Sequence, residues 1–214
     1  MIEKLELRNT DSLVDLGCGT GMYSLDIIKQ VQLRKVIAVD PYPEMLKQIP
    51  EDTDSNIHTV VSDALSFSKR PGIYDKILIK EAVHHIPERE KLFNCLFNRL
   101  RKGGILLLVH VPPEVKYPLF QKALDRCKEW HADTDELLEQ LENTDFQVEQ
   151  DFIDYTHSIP KQKYFAMVKS CYMSALTSLG EQEIINGLIE MEKKYKDTKS
   201  LEFVDHFDYL KAVK

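Results

Sequence analysis

The chain has 214 residues, 43% of them hydrophobic and 29% charged, with a formal net charge of −7. That length suits one domain with a sizeable core, and the acidic balance argues against nucleic acid as a partner, because phosphate-backbone binders carry a basic footprint. Cys18, Cys95, Cys127 and Cys171 form no CxxC pair, and the longest apolar run, 105–109, is too short for a bilayer; both point to a cytoplasmic protein with reduced thiols, no membrane segment and no metal site.

Short apolar runs alternate with amphipathic stretches through the first two thirds of the chain, the pattern of βαβ units and a parallel sheet. Residues 12–16, 35–39, 56–61, 74–79 and 104–110 are predicted strands, each rich in Val, Ile or Leu and bounded by Gly, Pro or Asp. Their near-continuous apolar character fits strands covered on both faces. Helices are predicted over 22–31, 43–49 and 87–102. The last has Pro87 in its first turn, a stripe of Leu92, Phe93, Leu96, Phe97 and Leu100, and Gly103 as its stop.

After Val111 the pattern changes. Pro112-Pro113 breaks the chain, 117–130 and 135–143 read as helices, and 146–155 as a strand. Asp145 sits at a turn and tolerates left-handed geometry better than most residues. Residues 161–179 read as a helix carrying Tyr164 and Tyr172. A capping-box pattern at Ser178–Glu181 opens a further helix, and 203–213 supplies a last strand. No linker divides the chain, so it is expected to be one domain with a helical insertion over 161–196. That insertion is a candidate substrate lid, with at least one of the two tyrosines lining the acceptor pocket.

The chemistry concentrates at strand ends. Val14-Asp-Leu-Gly-Cys-Gly-Thr-Gly21 runs from strand through glycines into helix, where absent side chains let the backbone approach a ligand. A dinucleotide site needs a third glycine at position 22, which is Met. The run resembles motif I of class I S-adenosylmethionine-dependent methyltransferases, in which an acid precedes G-x-G-x-G. Three further segments match that family in order: Val36-Ile-Ala-Val-Asp40 with Pro41 and Tyr42, Ser62-Asp63-Ala64, and Lys80-Glu-Ala-Val-His-His85. The last is similar to the segment of small-molecule members, and the resemblance extends over residues 12–155.

The resemblance implies a Rossmann-like, doubly wound, mostly parallel seven-stranded sheet with the helical insertion before its last strand. It also implies S-adenosyl-L-methionine as cofactor. Asp15, Gly17, Cys18, Gly19 and Gly21 would wrap its amino-acid end, Asp15 acting through water. Asp40 would hold the ribose hydroxyls, Pro41 and Tyr42 the adenine face, and Asp63 with Ala64 the adenine edge. Glu81 completes the set. His84, His85 and His110 lie at or near strand carboxyl ends and are the candidate bases. Transfer to a small molecule by in-line displacement is the expected reaction. A non-catalytic partner subunit on the same fold, an aminopropyl transferase and a protein methyltransferase are the alternatives.

Overall fold

The computed structural model describes residues 1–50 and 56–214. Among them the expected seven-stranded sheet is present, in the order β3-β2-β1-β4-β5-β7-β6. Its strands are β1 (Ser12–Leu16), β2 (Lys35–Asp40), β3 (Ile57–Val61), β4 (Tyr74–Lys80), β5 (Leu100–His110), β6 (Gln147–Pro160) and β7 (Ser200–Val213). The neighbours from β3 through β5 pair in parallel, and β7 runs antiparallel to β5.

Every residue of β1 is buried, so both of its faces are covered. Ile77, Leu78, Ile79 and Leu106–Leu108 are fully buried as well. Each such side chain contributes roughly 1.5–3 kcal/mol on leaving water. The helices of this part are α1 (Ile2–Leu5), α2 (Met22–Gln30), α3 (Pro43–Leu46), α4 (Ala64–Ser68), α5 (Arg89–Arg99) and, after α6 (Gln121–Trp130), α7 (Thr134–Glu142). α5 is shorter than its sequence pattern. Leu100 turns extended (φ −84°, ψ 142°) and is buried where it pairs with Tyr74, so Arg101 and Lys102 join β5 and Gly103 takes a left-handed φ of +73° within it. Asp145 has the left-handed conformation anticipated for its turn, at φ +65°.

The predicted helix over 161–179 is two: α8 (Lys161–Lys169) and α9 (Ser174–Thr177), followed by α10 (Glu181–Lys194). Cys171 breaks it by adopting φ +53°, with its own N–H on Val168 C=O and that of Tyr172 on Met167 C=O. Those bonds satisfy the last carbonyls of α8 in a Schellman arrangement. The cap of α10 lies later than its sequence pattern, at Gly180, whose N–H donates to the Glu183 carboxylate at 2.8 Å.

The chain divides into two compact units. One comprises Met1–His110, Thr134–Asp151 and Asp208–Lys214; the other comprises Val111–Asp133 and Phe152–Phe207, and so takes in more than the 161–196 insertion. The second has its own core, in which Phe120, Ala123, Cys127, Tyr164, Leu176 and Met191 are all but fully buried. No described helix is long and apolar enough to cross a membrane.

Candidate functional site

Because β3, β2, β1 and β4 are parallel neighbours, the residues that follow them emerge along one edge of the sheet, where open α/β sheets place their ligands. There a cavity of about 450 Å³ is lined by Gly17 and Gly19 after β1, Asp40, Pro41, Tyr42 and Met45 after β2, Asp63 and Ala64 after β3, and Glu81, Ala82, His85 and Ile86 after β4. The volume lies within the range of small-molecule sites.

The turn after β1 is shaped by its glycines. Gly17 N–H extends the ladder to Val39 C=O at 2.8 Å, and Gly17, Gly19 and Gly21 all have positive φ, at 75°, 55° and 73°. A Cβ on Gly17 would lie 2.4 Å from that of Ala82, and one on Gly21 would meet Ile49 at 2.6 Å. At Gly19 a Cβ would meet nothing within 4 Å, so this position faces open space. Cys18 packs instead against Ala38, Leu46 and Ile49, and burial pushes its thiol far above the ordinary range. It fills space there, and its raised pKa disfavours the reactive thiolate.

Asp40 is 6% exposed, and its carboxylate is held from both sides: Gly19 N–H donates to Oδ2 and Tyr42 N–H to Oδ1, each at 2.9 Å. A carboxylate has about four lone-pair sites, so two remain for a diol. Asp63 caps α4 by accepting from Ser66 N–H at 2.8 Å, and that bond holds its carboxyl below the usual value. Tyr42, 59% exposed, is an aromatic residue among those lining the cavity. These groups fit a nucleoside: an acid for vicinal hydroxyls, an aromatic ring, and a second acid at the far end.

Several anticipated residues stand elsewhere. Asp15 does not line the cavity; its carboxylate accepts from Ser24 Oγ at 2.6 Å. Burial, with a contribution from Asp40, pushes it up to about 6 against the pull of Ser24 and Lys80. Cys18, Gly21 and His84 are also outside the lining. The histidines share a single turn, Val83–His85, with their rings 4.1 Å apart, and only His85 reaches the cavity; burial lowers its pKa. His110 is 1% exposed at the end of β5, with Nε2 3.4 Å from the Thr134 hydroxyl, which donates to Asp208 at 2.6 Å. That chain ties β5, α7 and β7 together and does not line the cavity. Tyr164 is fully buried in the core of the second unit, its hydroxyl 3.2 Å from that of Tyr172.

Met45, Ala82 and Ile86 line the cavity without having been anticipated. A lone methionine one turn into α3 and a small residue opposite a glycine leave no pattern in a single chain. Glu81 was anticipated, but not its geometry: it holds φ +53°, with its N–H on Val109 C=O at 2.8 Å.

Residues 13–104 match the family described as a methyltransferase domain. Among curated relatives, (S)-coclaurine N-methyltransferase of Thalictrum flavum subsp. glaucum is 27% identical over 113 residues, 51% of this chain and 31% of that one. The chain spans 24–64% of the length of the first three curated relatives that it matches. Among solved structures, the YcgJ protein of Bacillus subtilis superposes with a TM-score of 0.71 at 17% identity, covering 100% of this chain and 96% of that one. Phosphoethanolamine N-methyltransferase 2 of Haemonchus contortus, in complex with phosphomonomethylethanolamine and S-adenosylhomocysteine, has a TM-score of 0.63 at 18% identity, covering 97% of this chain and 49% of that one. Residues 13–104 thus resemble a methyltransferase domain, and the sheet has the fold seen in solved S-adenosylmethionine-dependent methyltransferases.

Proposed function

We propose that this chain binds S-adenosylmethionine in the cavity along the β3-β2-β1-β4 edge and transfers its methyl group to a small-molecule acceptor. The observation that carries the reading is the convergence of four strand ends on one cavity. An open glycine position follows β1, a doubly anchored Asp40 and Tyr42 follow β2, Asp63 follows β3, and Glu81 and His85 follow β4. In this reading Asp40 holds the ribose hydroxyls, Tyr42 covers the adenine, Asp63 receives its amine, and Gly19 lets the amino-acid end lie close to the backbone.

The sulfonium brings its own leaving group, so the chain's part is alignment and exclusion of competing nucleophiles. His85 adds a proton acceptor. Burial lowers its pKa and so favours the neutral form, and a neutral imidazole beside the cavity can take a proton from an acceptor that must lose one. Support for a small acceptor comes from the net charge of −7 and from relatives whose names specify coclaurine and phosphoethanolamine.

Calorimetry tests the first half. S-adenosylmethionine and its demethylated product are expected to bind, and Asp40→Ala to weaken both by about tenfold or more, the scale of lost charge-assisted hydrogen bonds; no heat with either ligand overturns the reading. For the second half, methyl-labelled cofactor and a metabolite extract are expected to yield a labelled small product. Label confined to protein would redirect the assignment to a protein methyltransferase, and tight binding without transfer to a partner subunit.

A further inference from the structure

The segments 8–11, 31–35, 69–74 and 99–104 lead into β1, β2, β4 and the parallel part of β5, so they share the edge of the sheet opposite the cavity. In a chain of net charge −7 they are basic. Asp11 is the single acid within them and Asp75 follows at the start of β4; both are buried. Asp75 holds Arg34 and Arg101, whose side chains stay 58% and 53% exposed. Arg99 donates to the Ser68 and Lys69 carbonyls and so covers the end of α4, where a helix concentrates negative charge. Lys35, Lys69, Arg70 and Lys102 are exposed and have no ion-pair partner among the described residues. Beside them the chain runs through Pro71-Gly72-Ile73, and Ile73 is 58% exposed. Tyr74 is the one aromatic residue of the four segments, and its ring is half-buried and stacked on Phe67, with centroids 6.0 Å apart.

We infer that this edge docks the chain on an anionic lipid bilayer, with Ile73 at the point of contact. The inference is independent of the function proposed above. An exposed aliphatic side chain among lysines and arginines suits the boundary between charged headgroups and acyl chains. Single-stranded nucleic acid fits less well, because none of the four segments offers an exposed ring for a base to stack on. Each Lys or Arg close to an anionic membrane is worth about fivefold in partitioning, so four of them outweigh the weak binding of one isoleucine. The acids of the cavity barely oppose this. β4 has seven residues and sets them roughly 20 Å away, more than twice the Debye length of about 8 Å at physiological salt. A bilayer held at this edge leaves the cavity on the far side of the sheet, open to an acceptor arriving from solution.

Co-sedimentation of the full chain with vesicles tests this, using phosphatidylcholine alone and equal parts of phosphatidylcholine and phosphatidylserine. The wild-type chain is expected to sediment with the anionic vesicles, to stay in solution with the neutral ones, and to be released by high salt. Lys69→Glu/Arg70→Glu is expected to weaken partitioning by about tenfold or more. Lys35→Glu/Lys102→Glu, on two other segments, is expected to act alike, so the test does not hang on the folding of one variant. Ile73→Ser is expected to keep the preference for anionic vesicles and to weaken binding by about threefold to tenfold.

A wild-type chain that ignores anionic vesicles, or binds neutral ones equally well, overturns the inference without any variant. Undiminished binding by both charge-reversal variants, each unfolding thermally like the wild type, places the contact elsewhere and overturns it as well. So does undiminished binding by Ile73→Ser. Tighter retention by a single-stranded oligonucleotide than by the anionic vesicles would make this edge a nucleic-acid surface instead.

Discussion

Gly17 and Gly19 both hold positive φ and differ in what surrounds them. Alanine at either position meets the left-handed penalty of about 1–2 kcal/mol. At Gly17 its Cβ also falls 2.4 Å from that of Ala82, so Gly17→Ala is expected to be the more destabilising of the two in urea titrations. At Gly19 the Cβ enters open space beside the cavity, so Gly19→Ala is expected to lose more cofactor affinity than stability. Asp15 makes a different kind of prediction. Its pKa, raised to about 6 chiefly by burial, means that the folded protein keeps a proton the unfolded chain has already lost between about pH 4 and 6. Asp15 therefore contributes a loss of stability as pH rises through that window, roughly 3 kcal/mol in full. Asp15→Asn is expected to be the more stable protein at pH 8, with the difference vanishing near pH 4; equal pH profiles would show that Asp15 is not strained by its burial. His85 has the opposite consequence for function. Protonation abolishes its ability to accept, so turnover is expected to fall on acidification only below the ordinary imidazole range, as a pH–rate profile would read.

At the scale of elements, the strands are tied at the edge away from the cavity by Asp75, which is buried at the start of β4. Its carboxylate accepts from Ser12 N–H at 2.8 Å and Ser12 Oγ at 2.7 Å, and pairs with Arg34 and Arg101. Burial acts to raise its pKa, but the Ser12 bonds and the two arginines outweigh it and hold the carboxyl below its usual value. The stability it supplies is present above the unfolded value of about 4 and is lost as pH falls through the depressed one. In Asp75→Ala both arginines, more than half exposed, return to water, while the Ser12 N–H stays buried without its acceptor. A cost of about 2–4 kcal/mol is expected by chemical denaturation. In the second unit α10 reverses a usual rule. Alanine for glycine inside a helix normally stabilises by about 1 kcal/mol. A Cβ on Gly187 would lie 2.3–2.5 Å from ring atoms of Phe120, so Gly187→Ala is expected to destabilise by about 1–2 kcal/mol through overpacking.

At the scale of the molecule, every residue lining the cavity belongs to the first unit. Saturation with S-adenosylhomocysteine at about a hundred times its dissociation constant adds about 2.7 kcal/mol to whatever unfolds with that cavity. Should calorimetry resolve two transitions, only one is expected to move; a shift of both would mean that the units unfold together. The parallel sheet and the order of its motifs were legible in the chain because they are local. Apolar runs spaced by amphipathic stretches leave few topologies, and glycines and acids at strand ends have a meaning set by the strand before them. The same locality puts Asp40, Asp63 and Glu81, which the chain carries just after its strands, in the cavity lining. Which groups face the cavity was not local. Asp15 turns to Ser24, His110 to Thr134, and Tyr164 into a core of its own, because each is decided by partners far along the chain or on the next element. The break at Cys171 and the extended Leu100 have the same origin: neighbours and buried strand pairing overrode a helical pattern that the sequence carries in full. Periodicity determines which elements form and in what order. Side-chain direction follows from packing and from the search of each buried polar group for a partner, and only the folded chain supplies those.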